Sequence, residues 1–406
     1  MTPDEIVDRL LHHRPLALDD PYALYAALRS QSPVHYDEAN DLWVLTRFAD
    51  IHAALRDRTM STARHLLSNP RYATSATLRA HTETVLFTDD AATHGRLRRL
   101  VSKAFTVGAV VELEPLVTRL VDDLLDRCAD LGTFDFMADF VDRLPAEVIC
   151  ALLGVPRDDI GKFRDWTYII TTGSGVSQTD EHMADIDAAM DKLLHYLDGL
   201  LEERARAPRD DLLSTLIAAR DEGERLSVAE TKAMAWFLLA AGSDTTSAFL
   251  GAATVALLRN PAQLRVLRDL PERLPVAIEE LMRLEAPVHF GIIRHATSGL
   301  DLPDATLPPG ARVWTVLAAG NRDPAQFAAP DELRLDRGDV RHLGFAHGMH
   351  VCLGAPLARM ESRVALGRFF DRFAEVDLTA PTVRWVDHGN LRTIDNLTVT
   401  VRGRTA

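Results

Sequence analysis

The amino-acid sequence predicts a mainly α-helical protein with a small β region, folded as a single unit from residue 1 to residue 406. Apolar residues recur with helical spacing over long stretches, and the longest pattern continues from Ser227 to Leu258. Strand-like segments are short: they include Leu42–Thr46, strands between Val288 and Arg334 such as Val313–Leu317, and the tail from Val383 to Val401. No internal repeat and no Gly/Ser-rich linker divides the sequence, so we expect one domain.

The helices follow from local signals, taken in chain order. Asp20 and Pro21 predict a first helix over Tyr22–Arg29, because proline fits the first helical position. Ser227 followed by Glu230 is a capping box, which predicts the start of the long helix. Further helices are predicted over His94–Phe105, Val110–Cys128, Leu144–Leu153, Ile160–Thr171, His182–Arg206, Leu274–Leu284 and Pro356–Phe373.

Composition and charge restrict the class of protein. With 47% apolar and 26% charged residues, the chain has an ordinary globular balance. The 45 Lys and Arg residues against 59 Asp and Glu give a net charge of -14, so we expect no nucleic-acid partner. The longest apolar run, Ala233–Gly242, is far below the ~18 residues of a membrane span, and Met1–Arg9 has no apolar signal region. Three cysteines are too few for a disulfide framework and suit a reducing compartment, so we expect a cytoplasmic protein that does not enter a membrane.

Cys352 lies in the segment HLGFAHGMHVCLGAPLARME, directly before a predicted helix. Backbone N–H groups of Leu353 and Gly354 are expected to point at its sulfur, lower the pKa of the thiol and stabilise a thiolate. Cys128 and Cys150 fall within amphipathic helix patterns and are predicted to be small buried side chains, the commonest role of a lone cysteine. The thiolate environment therefore singles out Cys352.

The residues around this cysteine resemble a known cofactor loop. The haem-thiolate loop of the cytochrome P-450 superfamily has the spacing seen here for Phe345, Gly348, Cys352 and Gly354. The trailing GAPLAR is common in bacterial, ferredoxin-dependent members. The resemblance implies the cytochrome P-450 fold, with haem b (iron protoporphyrin IX) between the long oxygen-activation helix and the cysteine-loop helix. It also implies Cys352 as the axial thiolate ligand of the iron.

One residue of the loop departs from the family pattern. A second glycine often follows the phenylalanine in the family, and here that position is Ala346. We expect its methyl group to be tolerated but to tighten the loop. Haem ligation by Cys352 is not affected by this change.

Ala241–Ser247, with the sequence AGSDTTS, places polar groups inside the apolar pattern of the long helix. On the residues alone, a helix with a few solvated polar side chains would explain it. The segment also resembles the family's oxygen-activation segment, in which Asp244 and Thr245 would be the acid–alcohol pair that delivers protons from solvent. Gly242 beside Ser and Thr residues is expected to break the i→i−4 hydrogen bonds locally and to open a groove for dioxygen.

Glu280 and Arg283, in EELMR, are three residues apart and share a helix face. By resemblance they are the family's buried structural pair, which supports the cysteine loop. The family often adds a basic residue further along the chain, where this sequence reads PDEL with Glu332. Arg334 and Arg322 are both candidates for the missing cation, and the sequence does not decide between them.

Haem carries two propionates, which need cationic or hydrogen-bonding partners when they are buried. His94 and Arg98, in HGRLRRL, are four residues apart and therefore share a helix face. By similarity to the family they bind the propionates together with Arg294 and with His350. The usual Asp-Pro-Pro-Glu-His entry to this helix reads DAATH here, which loosens the helix entry.

The resemblance implies a haem-thiolate monooxygenase that inserts one oxygen atom from O2 into a small or medium apolar organic substrate. Hydroxylation or epoxidation in secondary metabolism is expected. By family position the pocket lining is mixed apolar, with His289 as a polar contact, and comes from Tyr72–Phe87, Trp236 with Ala240, Val288–Ile292, and Thr393 with Ile394. Two alternatives are a peroxide-driven peroxygenase and a catalytically silent haem protein that acts as recruiter or sensor. The acid–alcohol pair argues against both.

The sequence contains no flavin or ferredoxin segment, so we expect electrons from a separate ferredoxin and its ferredoxin reductase. We expect docking on the cysteine side, through a basic cluster that forms despite the acidic total: Arg99, Lys103, Arg341, Arg359 and Arg363. Scattered solvated charges are the alternative explanation of these residues.

Overall fold

The computed structural model describes residues 1–12, 19–62, 91–102, 105–172, 180–219, 225–338, 340–380, 382–388 and 391–403. Within these ranges the chain is mainly helical with short strands, as predicted. The predicted pocket segment Tyr72–Phe87 and the predicted docking residue Lys103 lie outside the described residues.

The helices of the described ranges divide between two halves of the chain. The N-terminal half holds α1 (Pro3–His12), α2 (Tyr22–Gln31), α3 (Phe48–Arg56), α4 (Ala91–Ser102), α5 (Val107–Leu131), α6 (Leu144–Leu153), α7 (Ile160–Thr172) and α8 (Asp180–Arg206). The C-terminal half holds α9 (Leu212–Ala218), α10 (Val228–Arg259), α11 (Pro261–Asp269), α12 (Leu274–Leu284), α13 (Leu317–Gly320) and α14 (Ala355–Arg372).

The predicted helices are confirmed with ends shifted by a few residues, but α1 is missing from the prediction. Four of its apolar side chains are buried at helical spacing, so the pattern was readable in the sequence: Ile6, Val7, Leu10 and Leu11. α2 therefore is not the first helix. It begins at Tyr22, after Pro21, and the Asp20 carboxylate accepts the N–H groups of Tyr22 and Ala23 at its start.

α10 is the longest helix of the described ranges, with 32 residues from Val228 to Arg259. The capping box is confirmed, since Ser227 accepts the N–H of Glu230 and Glu230 accepts the N–H of Ser227. At 1.5 Å per residue the helix is about 48 Å long, enough to cross the whole core. Among the helices described, none combines the length with the apolarity that a membrane crossing requires.

The main hydrophobic core surrounds α10. Neighbouring helices α5, α6, α8, α12 and α14 contribute buried side chains to it, including Leu124, Ile149, Leu193, Leu281 and Phe369. A second cluster packs α1 and α2 against the strands around Trp314. Because buried apolar area is the main stabilising term in folding, these two clusters hold the long helix and the surrounding loops in place.

The strands form small sheets. Their bounds are β1 (Val34–Asp37), β2 (Leu42–Leu45), β3 (Met60–Ser61), β4 (Thr133–Asp135), β5 (Arg294–Ala296), β6 (Leu300–Leu302), β7 (Ala305–Leu307), β8 (Arg312–Thr315), β9 (Phe373–Leu378), β10 (Trp385–His388), β11 (Leu391–Ile394) and β12 (Thr398–Gly403). The largest sheet has the order β1-β2-β8-β5-β3, in which only the β2–β8 pair is parallel. The tail is strand-like as predicted, since β10 and β11 pair as a hairpin and β12 joins β4 and β9.

Candidate active site

Cys352 lies in a tight loop immediately before α14. Its backbone N–H donates to the carbonyl of Phe345 at 2.9 Å, which closes the loop. The backbone N–H groups of Gly354 and Ala355 bond to the sulfur. The sequence predicts Leu353 and Gly354 as the donors. The observed pair lies one residue later, at the N-cap residue Gly354 and at Ala355, the first residue of α14.

The Cys352 thiol is exposed, yet protein atoms surround it closely enough for burial to raise its pKa. Two effects lower the pKa of the thiol: the N–H groups of Gly354 and Ala355, and the positive charges of Arg98 and Arg359. The prediction of a lowered thiol pKa is wrong for the protein alone, because desolvation outweighs the donors. A metal ion reverses this balance, since a coordinating thiol is deprotonated outright.

Cys128 on α5 and Cys150 on α6 are buried in the main hydrophobic core, as predicted. Burial raises the pKa of each of these thiols to about 12. A buried thiol of this kind is inert. Cys352 is therefore the cysteine whose sulfur is both accessible and supplied with backbone donors.

Two residues of the cysteine loop have positive φ. Gly348 has φ +74°, and a Cβ added there would lie 2.2 Å from the carbonyl oxygen of Leu55 at the end of α3. Only glycine fits such a close backbone approach. Ala346 has φ +56°, a left-handed conformation that costs a residue with a Cβ about 1–2 kcal/mol. The Cβ of Ala346 therefore adds backbone strain to the loop.

Two histidines and two arginines meet beside this loop, and we call them the His–Arg cluster: His94, Arg98, Arg294 and His350. The rings of His94 and His350 lie 4.7 Å apart, centre to centre, at 72°. Arg98 donates to the carbonyl of Val351 at 2.6 Å. The charges of Arg294 and Arg98 both act on His350, which shows that α4, β5 and the cysteine loop converge at this point.

Within the described residues, the His–Arg cluster has no carboxylate partner. His94 Nε2 and His350 Nδ1 are buried there without a hydrogen-bond partner. Arg294 is 6% exposed, reaches the Leu55 carbonyl at 3.5 Å, and has its pKa lowered to about 10 by burial. Burial and the neighbouring cations lower the pKa of His350 to about 3, and burial and Arg98 lower that of His94. Two guanidinium charges and two neutral imidazoles therefore suit a ligand with two carboxylates, such as the propionates of haem.

The AGSDTTS segment lies within a continuous α-helix, so the predicted break in the i→i−4 bonds is wrong. Thr245 Oγ1 donates to the carbonyl of Ala241 at 2.7 Å, which adds a side-chain bond to the helix rather than opening it. Ala241 is exposed and Thr245 half-buried, although most of α10 is buried. Asp244 is half-buried and accepts a hydrogen bond of 2.6 Å from Thr171 of α7. The Asp244 carboxylate therefore bonds to a neighbouring helix, whereas the Thr245 hydroxyl bonds within α10 itself.

Glu280 and Arg283 form a buried pair, as predicted, and each is 1% exposed. Arg283 donates to the two carboxylate oxygens at 2.7 and 2.9 Å. It also donates to the carbonyl of Asn321, whose side-chain oxygen accepts the N–H of Leu343 at 2.6 Å. Leu343 lies two residues before Phe345, so this chain of bonds connects the pair to the cysteine loop.

The additional cation at Glu280 is Arg337, which the sequence analysis missed. Its Nε lies 2.9 and 3.0 Å from the two carboxylate oxygens. Both sequence candidates are wrong as side-chain partners: Arg334 gives its backbone N–H, and Arg322 pairs with acidic residues elsewhere, Glu285 and Asp331. The reason is a turn between these two arginines, closed by a hydrogen bond from the N–H of Arg337 to the carbonyl of Arg334. This turn brings the side chain of Arg337 back to Glu280.

A second ion pair supports the cysteine loop from α12. Arg359 donates to Glu279 at 2.6 and 2.8 Å, and His342 Nε2 lies 3.1 Å from the same carboxylate. Burial raises the pKa of Glu279, but these bonds outweigh it and lower the pKa to about 2. The guanidinium of Arg359 also stacks on the Phe345 ring at 4.4 Å. Phe345 is therefore held through both its backbone and its ring.

At least two members of the predicted docking cluster are paired with acidic residues. Arg359 is bound to Glu279, and Arg363 pairs with Glu114 of α5. Arg99 and Arg341 are exposed. The positive charge on this face is therefore smaller than the residue count suggests.

His289 is not a polar contact of the pocket, which corrects the prediction. It is 1% exposed, and its Nδ1 lies 2.8 Å from the hydroxyl of Tyr25. Burial lowers its pKa well below the usual value, so the ring is neutral. Aromatic contacts with Tyr22 and Phe290 complete its surroundings and place it beside the second core cluster.

Comparison with known proteins decides the family. The family model described as Cytochrome P450 matches residues 36–383. The chain belongs to this family. Cytochrome P450 107B1 of Saccharopolyspora erythraea is 36% identical over 98% of this chain and 99% of its own length. Vitamin D(3) 25-hydroxylase of Pseudonocardia autotrophica is 39% identical over 86% of each chain.

The structure of the myxobacterial cytochrome P450 CYP267B1 in complex with myristic acid is also similar. Its TM-score is 0.87 at 31% identity, over 98% of this chain and all (100%) of that chain. The predicted cytochrome P450 fold is thus confirmed. The protein is a cytochrome P450 monooxygenase, whose family binds haem b through a cysteine thiolate and uses O2 and a small-molecule substrate.

Proposed function

We propose that this P450 inserts one oxygen atom from O2 into a small or medium apolar molecule, by hydroxylation or epoxidation, in secondary metabolism. Cys352 is the thiolate ligand in this proposal, and the His–Arg cluster binds the propionates. The observation that carries it is the position of that cluster, without a carboxylate partner among the described residues, beside the accessible sulfur of Cys352. The site belongs to a single cytochrome P450 domain, residues 1–406.

The charges of the His–Arg cluster match those of the propionates. Arg98 and Arg294 each carry a positive charge, and a guanidinium can bind a carboxylate through two parallel N–H bonds. His94 and His350 are neutral, so each can donate one N–H without adding a charge. The buried charges of ligand and protein then cancel, which is the condition for burying them at low cost.

The cysteine loop holds the sulfur in a fixed position. Haem, when bound, supplies the iron centre at which dioxygen is reduced, and a thiolate ligand favours cleavage of the O–O bond. Gly354 and Ala355 direct N–H groups at the sulfur and moderate its negative charge. Phe345 accepts the N–H of Cys352 and is itself held by Arg359.

Asp244 and Thr245 would serve proton delivery on the α10 side. The half-buried carboxylate of Asp244 can take protons from solvent, and the Thr245 hydroxyl keeps acceptor lone pairs that can hold a water molecule. An apolar substrate is supported by the relatives, since one is named a vitamin D(3) hydroxylase and another binds myristic acid. Half-buried Val288, Ile292 and Thr393 remain candidates for the pocket lining.

Electrons would arrive from a separate ferredoxin and its ferredoxin reductase. Exposed Arg99 and Arg341 offer positive charge to an acidic partner on a chain whose net charge is -14. The electron donor would dock on the cysteine side, which shortens the path to the haem.

A carbon-monoxide difference spectrum of the dithionite-reduced protein tests the ligand assignment. We expect the strongly red-shifted band of thiolate-ligated haem in the wild type and its loss in Cys352→Ser. Cys150→Ser is the matched control and should keep the band, because Cys150 lies in the hydrophobic core. A thiolate band in Cys352→Ser, or its absence from haem-loaded wild type, would overturn the assignment.

A further inference from the structure

A hydrogen bond connects the last turn of α7 to the acid of α10. Thr171 Oγ1 lies 2.6 Å from Asp244 Oδ2, and also 3.0 and 3.1 Å from the carbonyl oxygens of Thr167 and Tyr168 in its own helix. A hydroxyl has a single proton to donate. The carboxylate is the nearest and most strongly negative of the three acceptors, so the proton goes to Asp244.

The surroundings of Asp244 make this donor important. Tyr168 lies one turn before Thr171. Burial raises the pKa of its hydroxyl, and the negative charges of Asp244, Asp395 and Asp142 raise it further, so these three carboxylates lie around the same end of α7. Carboxylates that share a small region repel one another. A neutral hydroxyl donor at 2.6 Å attracts the Asp244 carboxylate and selects one orientation for it.

The next residue along α7 makes a contact in another direction. Thr172 Oγ1 lies 2.8 Å from His182 Nε2, on α8. Successive side chains of a helix point about 100° apart, so neighbouring threonines can reach different helices. The last turn of α7 is thus joined to α10 by Thr171 and to α8 by Thr172.

We propose that Thr171 is a positioning residue for proton delivery, which rests on the role proposed above for Asp244. Its hydroxyl orients the carboxylate, so that proton transfer through Asp244 depends on the packing of α7 against α10. Without the hydroxyl the carboxylate loses the hydrogen bond that favours this orientation, and protons arrive late. Dioxygen that has taken up electrons then leaves as hydrogen peroxide, with the same electrons and solvent protons, in place of water and oxygenated product.

The test compares Thr171→Val, which removes the hydroxyl at nearly constant shape, with Thr171→Ser, which keeps it. Thr172→Val is the matched control, because it removes a hydroxyl from the same turn without touching Asp244. Asp244→Asn and the double variant Thr171→Val/Asp244→Asn complete the set. Each haem-loaded variant is driven by ferredoxin and its reductase, with vitamin D3 and without any organic compound, and hydrogen peroxide released per dioxygen consumed is measured.

We expect Thr171→Val to raise the peroxide fraction several-fold. Thr171→Ser, which keeps the hydroxyl, and Thr172→Val should both show the wild-type peroxide fraction. In the Asp244→Asn background, Thr171→Val should add nothing further, because the two residues act through one contact. Hydrogen–deuterium exchange gives a readout independent of turnover. Exchange in the last turn of α7 should rise in both threonine-to-valine variants, which separates loosening of the helix from positioning of the acid.

Two results overturn the proposal, and they are distinguishable from failure of the proposed function. If Asp244→Asn changes the peroxide fraction but Thr171→Val does not, or if Thr172→Val raises it as much as Thr171→Val, Thr171 does not position the acid. If Asp244→Asn itself leaves both the rate and the peroxide fraction unchanged, the role of Asp244 in proton delivery fails, and the role of Thr171 fails with it.

Discussion

Replacing Arg337 by alanine removes one of two cations from Glu280, a carboxylate that is 1% exposed. Arg337 also donates to the carbonyl oxygens of Ala328, Ala329 and Glu332, but these lie in an exposed loop where water can replace the lost donor. Removing one partner of a buried ion pair costs about 3–5 kcal/mol. Glu280 keeps Arg283, so we place the loss of unfolding free energy at the lower end, about 3 kcal/mol.

Arg334→Ala is the control for this prediction, because Arg334 is a candidate that the sequence offered for the same cation. Its side chain is 41% exposed and lies 3.5 Å from the exposed carboxylate of Asp336. Exposed ion pairs contribute about 0–1 kcal/mol, so this variant should stay within ~1 kcal/mol of the wild type. Arg337→Lys keeps the charge but not the planar fork of donors, and should fall between the two.

Urea unfolding followed by far-UV circular dichroism measures these free energies, with haem content determined for each preparation. The assignment of the second cation would be refuted if Arg337→Ala unfolds within ~1 kcal/mol of wild type, or if Arg334→Ala is the more destabilised variant.

Three further predictions concern the cysteine loop. Ala346→Gly should stabilise the protein by up to about 1 kcal/mol in urea unfolding, because φ +56° is unstrained for glycine, and an unchanged or lower stability would contradict the strain. Gly348→Ala should lose haem during gel filtration, because its Cβ would lie 2.2 Å from the Leu55 oxygen, and full haem retention would show that the contact can relax. Glu279→Gln should cost about 1–2 kcal/mol at neutral pH, a value reduced for a side chain that is 26% exposed. Because the folded pKa is about 2 and the ordinary value 4.5, that stabilisation is complete above about pH 4.5 and is lost as the pH falls towards 2, so the wild type and Glu279→Gln should converge there. A pH-independent difference in unfolding free energy would exclude the ionised carboxylate as its cause.

Several features could be predicted from the sequence because they depend on neighbours in the chain. The start of α10 follows from the pair Ser227 and Glu230, which are three residues apart and bond to each other within one turn. Cys352 was singled out by a loop whose spacing is itself local. The convergence of His94 and Arg98 on one face of α4 follows from helical geometry alone.

The sequence by itself determined the mainly helical class, the long core helix and the single accessible cysteine, since helical periodicity, capping residues and loop spacing are properties of adjacent residues. Tertiary structure decided that Arg337 rather than Arg334 or Arg322 completes the ion pair at Glu280. It also decided that His289 is buried against Tyr25 and that burial raises the thiol pKa of Cys352. Each of these depends on which distant segments meet and how much water they exclude, and a pattern read along one stretch of chain contains neither quantity.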